Sequence, residues 1–256
     1  MIKRFLTFAI VLTLIAGCKN DKDRAKDTKK DKEQNKTEYV EQEYFFPPEI
    51  VYYTPNLNYL VDKFYPIGWS SDGNFAYICE PADEAVDNYL FEIYVINVLN
   101  SDTLWSWHSD YNQETVREEV WKDNYEYFKT QLNKFHIIQL KEPQLLGPYF
   151  TYGGNDFVVE LKEETPERPG LGFNAVRWST ITLKSPQLGK KIISDFDFGP
   201  NSIIIGQSIS GVMLSPDGQY IAVIVQMERP GYEGPPNVIT FRIAGANLLT
   251  GFTQDQ

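Results

Sequence analysis

The apolar residues of this chain come in short runs interrupted by Gly, Pro, Asn and Asp, a rhythm that strands separated by turns obey and long helices do not. Asn88 to Val98, NYLFEIYVINV, shows it best. Tyr89, Phe91, Ile93 and Val95 fall on one face and Leu90, Tyr94 and Ile96 on the other, so both faces are apolar enough for a strand inside a packed sheet. Further strands are expected at Phe75–Cys79, Thr103–Trp107, Phe157–Leu161, Ala175–Leu183, Ser202–Ile205, Ile221–Gln226 and Val238–Ile243. One segment departs from the rhythm. In Thr115–Ile137, Val116, Val120, Trp121, Phe128, Leu132 and Phe135 share half of a helical wheel and charged residues occupy the rest. This predicts one long amphipathic helix of about six turns packed on a sheet.

Two stretches are near copies: WSSDGNFAYI from Trp69 and LSPDGQYIAV from Leu214. S-x-D-G suits a tight turn, because Asp can bond following backbone amides and Gly tolerates φ > 0. After each turn comes a strand, then an irregular loop, Glu80–Asp87 in the first copy and Glu228–Asn237 in the second. The stretches resemble the S-P-D-G repeat of TolB-like and WD-type β-propellers. That family repeats the motif every 40–45 residues, whereas Asp72 and Asp217 lie far apart, and Pro148–Asp156 is at most a degraded copy. The expected architecture is mainly β: two related modules, propeller-like blades or a sandwich, with the long helix packed on them. The order of turn, acidic loop, strand, helix and second turn also loosely resembles predicted secreted bacterial proteins of unknown function.

The N-terminus dictates a location. Lys3 and Arg4 precede the apolar run Phe5–Ile15, which is too short for a stable membrane span and reads as a signal peptide. Its end, Ile15-Ala16-Gly17-Cys18, resembles the lipobox of bacterial lipoproteins. The resemblance implies cleavage before Cys18 and acylation of that cysteine, with palmitate or a similar chain. Residues 19–43 carry eight Lys/Arg and eight Asp/Glu with almost no large apolar side chain. They read as a disordered tether with an end-to-end distance of roughly 25–30 Å. The expected organisation is a signal over 1–18, the tether over 19–43 and one β-rich domain over 44–256, in the cell envelope at the periplasmic face or the cell surface.

With Cys18 committed to lipid, only Cys79 remains, so the domain has no intramolecular disulfide to rely on and Cys79 reads as a small buried hydrophobe. Residues 44–256 hold 14 Lys/Arg against 27 Asp/Glu, a net charge of −13. That surface repels phosphate backbones and anionic headgroups, which argues against nucleic acid and leaves membrane attachment to the lipid.

Catalytic patterns are weak. Gly206-Gln207-Ser208-Ile209-Ser210-Gly211 fails the G-x-S-x-G elbow at position 210, and His108 and His136 stand in no metal or triad spacing. The loop Glu80–Asp87 has four carboxylates without the register of an EF-hand. Trp105, Trp107 and Tyr111 fit the core better than a sugar platform. No cofactor or metal and no enzymatic activity is expected. The leading function is a non-catalytic binding or scaffold lipoprotein with an envelope protein or glycan as partner. The alternative is a carbohydrate-binding module or a degenerate hydrolase-associated propeller protein. The candidate binding residues are Arg229 and Tyr232, on the proline-stiffened loop ERPGYEGPPN.

Overall fold

The computed structural model describes residues 39–50, 59–82, 88–112, 115–166, 174–232 and 234–254. The signal over 1–18 with Cys18, the tether through residue 38 and residues 83–87 of the acidic loop lie outside these. The described residues are mainly β and form three sheets. The first holds β2 (Lys63–Trp69), β3 (Asn74–Glu80), β4 (Asn88–Asn97) and β5 (Asp102–Asn112) as an antiparallel meander, with the short β6 (Ile138–Gln139) beside β2. The outer sheet is the meander β7 (Tyr149–Tyr152), β8 (Asn155–Glu164), β9 (Trp178–Ser185) and β10 (Gly189–Asp197). The middle sheet joins β11 (Gly206–Leu214), β12 (Tyr220–Arg229) and β13 (Val238–Asn247) to β1 (Leu60–Val61), which pairs parallel to β13.

Alternation along β12 sets the layering, because successive side chains of a strand point to opposite faces. Ile221, Val223 and Val225 pack against Phe157, Val159, Ile181 and Leu183 of the outer sheet. Ala222 and Ile224 instead meet Phe64, Trp69 and Phe75 of the first sheet. The first sheet's other face, with Ile67, Ile78, Phe91 and Ile93, receives the helices. The layers therefore run helices, first sheet, middle sheet, outer sheet.

Both S-x-D-G sequences form the expected turns, β2–β3 and β11–β12, in different sheets. Gly73 and Gly218 take φ of 80° and 66°, where a side chain would be strained. The polar capping divides differently in the two copies. Ser70 Oγ accepts from the amides of Asp72 and Asn74 at 3.3 and 3.1 Å. In the second turn Ser215 Oγ accepts from Tyr220 N at 2.9 Å and Asp217 Oδ1 from Gln219 N at 3.0 Å. The turns are also stacked. A Cβ on Gly73 would sit 2.9 Å from the Tyr220 ring, and one on Gly218 would sit 1.6 Å from Tyr152 Oη. Tyr152 belongs to the β7–β8 turn within Pro148–Asp156, so three turns line up across three sheets.

The single long helix is corrected to two short ones, α1 (Arg117–Asp123) and α2 (Tyr125–Lys134). They separate at Asn124, whose φ of −107° and ψ of 8° leave the helical range. Its side-chain amide donates to Val120 O at 2.9 Å and to Tyr111 Oη at 3.1 Å, offering the backbone a local partner that competes with the helix. The expected apolar face holds where it matters: Val120, Trp121, Phe128 and Leu132 are buried against the first sheet, while Val116 is exposed. Among the described residues, Tyr39 to Glu43 also contact the helices. Tyr39 stacks on His136 with ring centroids 4.6 Å apart and donates to Asn133 Oδ1 at 2.6 Å. Glu43 meets the Tyr125 hydroxyl and the Lys129 ammonium.

Candidate functional site

The loop that follows β12 leaves the middle sheet through Arg229 and returns at Val238, the first residue of β13. Tyr232 stands at its tip, 80% exposed. The base of the loop is fastened: Asn237 Nδ2 donates to Glu228 Oε1 at 2.6 Å, and Leu60 N donates to Asn237 O at 3.0 Å. Asp62, between β1 and β2, connects this base to the loop after β3. Its backbone N–H reaches Ile239 O at 3.0 Å, while its Oδ1 accepts from Ala82 N at 2.8 Å. The two irregular loops thus leave the same end of the fold on either side of one carboxyl group. Residues 83–87 of the first loop lie outside the described residues.

Asp62 is only 6% exposed. Burial pushes its pKa up to about 6; the Ala82 amide and the positive charge of Arg229 pull it partly back, and Glu92 opposes them. Cys79 Sγ donates to Asp62 Oδ2 at 3.8 Å. Burial and the surrounding carboxylates hold this thiol well above its ordinary pKa, so at neutral pH it is a protonated hydrophobe and not a nucleophile. On the opposite face of β3, Glu80 is also buried, but it is bonded by Arg117 Nε at 3.1 Å and the Tyr89 hydroxyl at 2.8 Å, with Lys63 Nζ at 3.6 Å. Arg117 in turn covers the Tyr65 ring at 5.1 Å. Two adjacent carboxyls of the same sheet end are therefore held differently: Glu80 is paired with cations, and Asp62 is mainly desolvated.

The Asp62 environment has a measurable consequence. An ordinary Asp titrates near 3.8, so with a folded value of about 6 the native state binds this proton more tightly than the unfolded chain. Its contribution to stability is greatest below pH 3.8, declines as pH rises through about 6 and is flat above. Asp62→Asn keeps an acceptor for Ala82 and carries no charge. Its stability relative to wild type is expected to improve by about 2–3 kcal/mol between pH 4 and pH 8, read from urea unfolding at both values. A constant difference across that range would mean that the carboxylate is solvated in the native state.

Beside the same loop base, Tyr59, Ser208, Gln226 and Glu228 line a cleft of about 150 Å³ on the middle sheet. Gln226 is 7% exposed; its Oε1 accepts from Ser208 Oγ at 3.2 Å, whereas its Nε2 has no protein partner. Asp62 and Gln226 are the parts that sequence reasoning missed. Asp62 sits beside Lys63 between two apolar pairs and Gln226 ends the apolar run of β12, so nothing local marks either, and only the fold buries them.

Other sequence candidates fall elsewhere. Gly206–Gly211 lies within strand β11, which bulges between Ile209 and Gly211, and not at a strand-to-helix elbow. Trp105 and Trp107 pack edge-on against Phe128 at 6.5 and 4.9 Å, and the Tyr111 hydroxyl accepts from Asn124, so these rings belong to the helix interface. His136 lies just beyond α2, past its C-cap Phe135, at φ 54°, and His108 is exposed on β5. Among the described residues no helix is long and apolar enough to cross a membrane. No protein-family model, curated protein or solved structure matches the chain.

Proposed function

We propose that this protein is a lipoprotein of the bacterial cell envelope, held on a membrane through lipid on Cys18, whose β-rich domain is a non-catalytic binding or scaffold module. The observation that carries the binding role is Tyr232, 80% exposed at the tip of a loop whose base is hydrogen-bonded on both sides. A large amphipathic side chain on a braced loop is what a partner surface uses as an anchor, since little ordering entropy is lost when it is covered. Arg229 at the loop base adds a positive charge to an acidic domain. The sheets read best as related modules in the manner of propeller blades. This rests on the stacked turns at Gly73, Gly218 and Tyr152 and on the repeated meander.

A pull-down from the envelope fraction of a bacterial host, comparing wild type with Arg229→Ala/Tyr232→Ala, tests the site. The double variant is expected to lose its specific partner by about tenfold or more while keeping its thermal stability, because truncating an interface anchor commonly costs at least 2 kcal/mol. Equal recovery of the same partners by a folded double variant would remove the loop from the reading. A carbohydrate ligand is the second reading, favoured by the cleft at Tyr59, Ser208, Gln226 and Glu228. There the free Gln226 amide donor and the Glu228 carboxylate suit a polyhydroxylated ligand. Retained glycan-array binding in the double variant, lost in Gln226→Leu, would select it.

A further inference from the structure

In a domain with so many carboxylates, the partly buried cation Arg242 pairs with none of them among the described residues. Arg242 lies on β13 with its side chain toward the outer sheet, the face it shares with Ala244. Burial lowers its pKa to about 10, which leaves it charged at neutral pH. The guanidinium packs under Phe196 and Phe198, 4.8 and 5.9 Å from the ring centroids. Nη1 donates to Ser194 Oγ at 2.8 Å and Nη2 to Ser179 Oγ at 3.2 Å. Among the described residues its charge meets no carboxylate, whereas Arg117 pairs with Glu80 and Glu49, and Arg177 with Asp197.

The register explains why the nearby acid does not serve. Ser194 and Phe196 pair with Ile181 and Ser179, all on the inner face of the outer sheet, while Asp195 between them pairs with Thr180 and points to the other face. Its Oδ1 is bonded there by Thr180 Oγ1 at 3.2 Å. A guanidinium has five N–H donors; two are used here, and Nε is buried with no acceptor. Leaving a buried cation uncompensated is unfavourable, and aromatic faces and hydroxyl oxygens offset only part of that. The guanidinium opens on a cavity of about 450 Å³, whose other walls are Ile193 to Phe196, Ile243 and the turn from Leu99 to Ser101; Asp195 is part of this wall, with its Oδ1 bonded by Thr180. That size is ordinary for a small-molecule pocket.

We propose that this cavity binds a small organic carboxylate, its head on Arg242 and Ser194 and its apolar body against Phe196, Ile193 and Leu99. The fork of Arg matches a planar carboxylate. Because Ser194 Oγ accepts from Nη1, its own proton is free to donate to the same anion. The apolar walls are what favour an acid with a hydrophobic body over a bare inorganic ion. The site stands apart from the Arg229 and Tyr232 loop and does not depend on the reading of that loop.

Calorimetric titration of the folded domain with benzoate, acetate and inorganic phosphate tests the proposal. Benzoate is expected to bind saturably and at least about tenfold more tightly than acetate or phosphate. Arg242→Met is expected to weaken benzoate by about tenfold or more, and Arg242→Lys, a point charge without the fork, by an intermediate factor. Should Arg242→Met fail to fold, Ser194→Ala keeps the cation, removes the second donor and is expected to weaken benzoate several-fold. No saturable benzoate binding to wild type overturns the site, as does unchanged affinity in a folded Arg242→Met or Ser194→Ala. Phosphate or acetate binding as tightly as benzoate overturns the assignment to a carboxylate with an apolar body.

Discussion

Phe128→Ala is expected to destabilise the folded domain by about 3–5 kcal/mol, the range for removing a fully buried aromatic ring. Phe128 is 0% exposed and is the hub of the layer between the helices and the first sheet. Its ring centroid lies 4.9 Å from Trp107, 5.5 Å from Trp121 and 6.2 Å from Phe91, the last nearly parallel at 9°. A cavity at this point cannot collapse easily, because Phe91 is fixed by the sheet ladder and the two indoles by their own neighbours. The helices are also short, 7 and 10 residues. Helices of that length do not persist alone in water and depend on the packed face for their formation. The variant should therefore lose helical circular dichroism before the strand signal in a urea titration. Tyr127→Ala, one residue earlier and 46% exposed, is the control and should cost under about 1 kcal/mol. Equal costs for the two would mean that the helices are not integral to the core.

This hub was legible in the sequence because Val120, Trp121, Phe128 and Leu132 keep the helical period across the whole segment. The break at Asn124 was not, since the period runs through it undisturbed and the cause is a bond to Tyr111 on another element. The strands divide in the same way. β4 stands out because both its faces are apolar, whereas the strand around Gly189–Asp197 carries polar residues on both faces. A bulge between Ile192 and Ser194 also breaks its alternation. Ser202–Ile205 has the apolar run of a strand but forms none: Ile205 N bonds Glu228 O while Val176 N bonds Ile204 O, one link to each of two segments. At the candidate site, Tyr232 could be found from its proline- and glycine-rich surroundings. Asp62 and Arg242 could not, because an isolated charge gains its meaning only from what the fold places around it. The third turn was legible only as a weak copy, because Tyr152-Gly153-Gly154-Asn155 retains a glycine of the motif but neither its serine nor its aspartate.

Cys18→Ser is expected to move the protein from the membrane fraction to the soluble fraction almost completely, and this is the largest effect predicted for any single atom of the chain. Each buried methylene contributes about 0.8 kcal/mol, and one acyl chain gives only marginal, reversible attachment while two or three hold firmly. Among the described residues no helix is long and apolar enough to cross a membrane. The net charge of −13 over residues 44–256 repels anionic headgroups at distances up to about 8–10 Å at physiological salt. On the proposed lipid attachment, losing the acceptor sulfur removes the acyl chains and leaves this weak repulsion. The measurement is fractionation with mass spectrometry of the N-terminus. Wild type should begin at acylated Cys18, while the variant should stay unacylated and be released or keep its whole signal. Retention of the apolar run Phe5–Ile15 could by itself hold some protein at the membrane, so the released fraction must be compared with a form beginning at Lys19 behind an ordinary cleavable signal. If that form and Cys18→Ser, cleaved of its signal, both sediment with membranes as fully as wild type, the folded domain carries the attachment and the lipid reading of Cys18 fails.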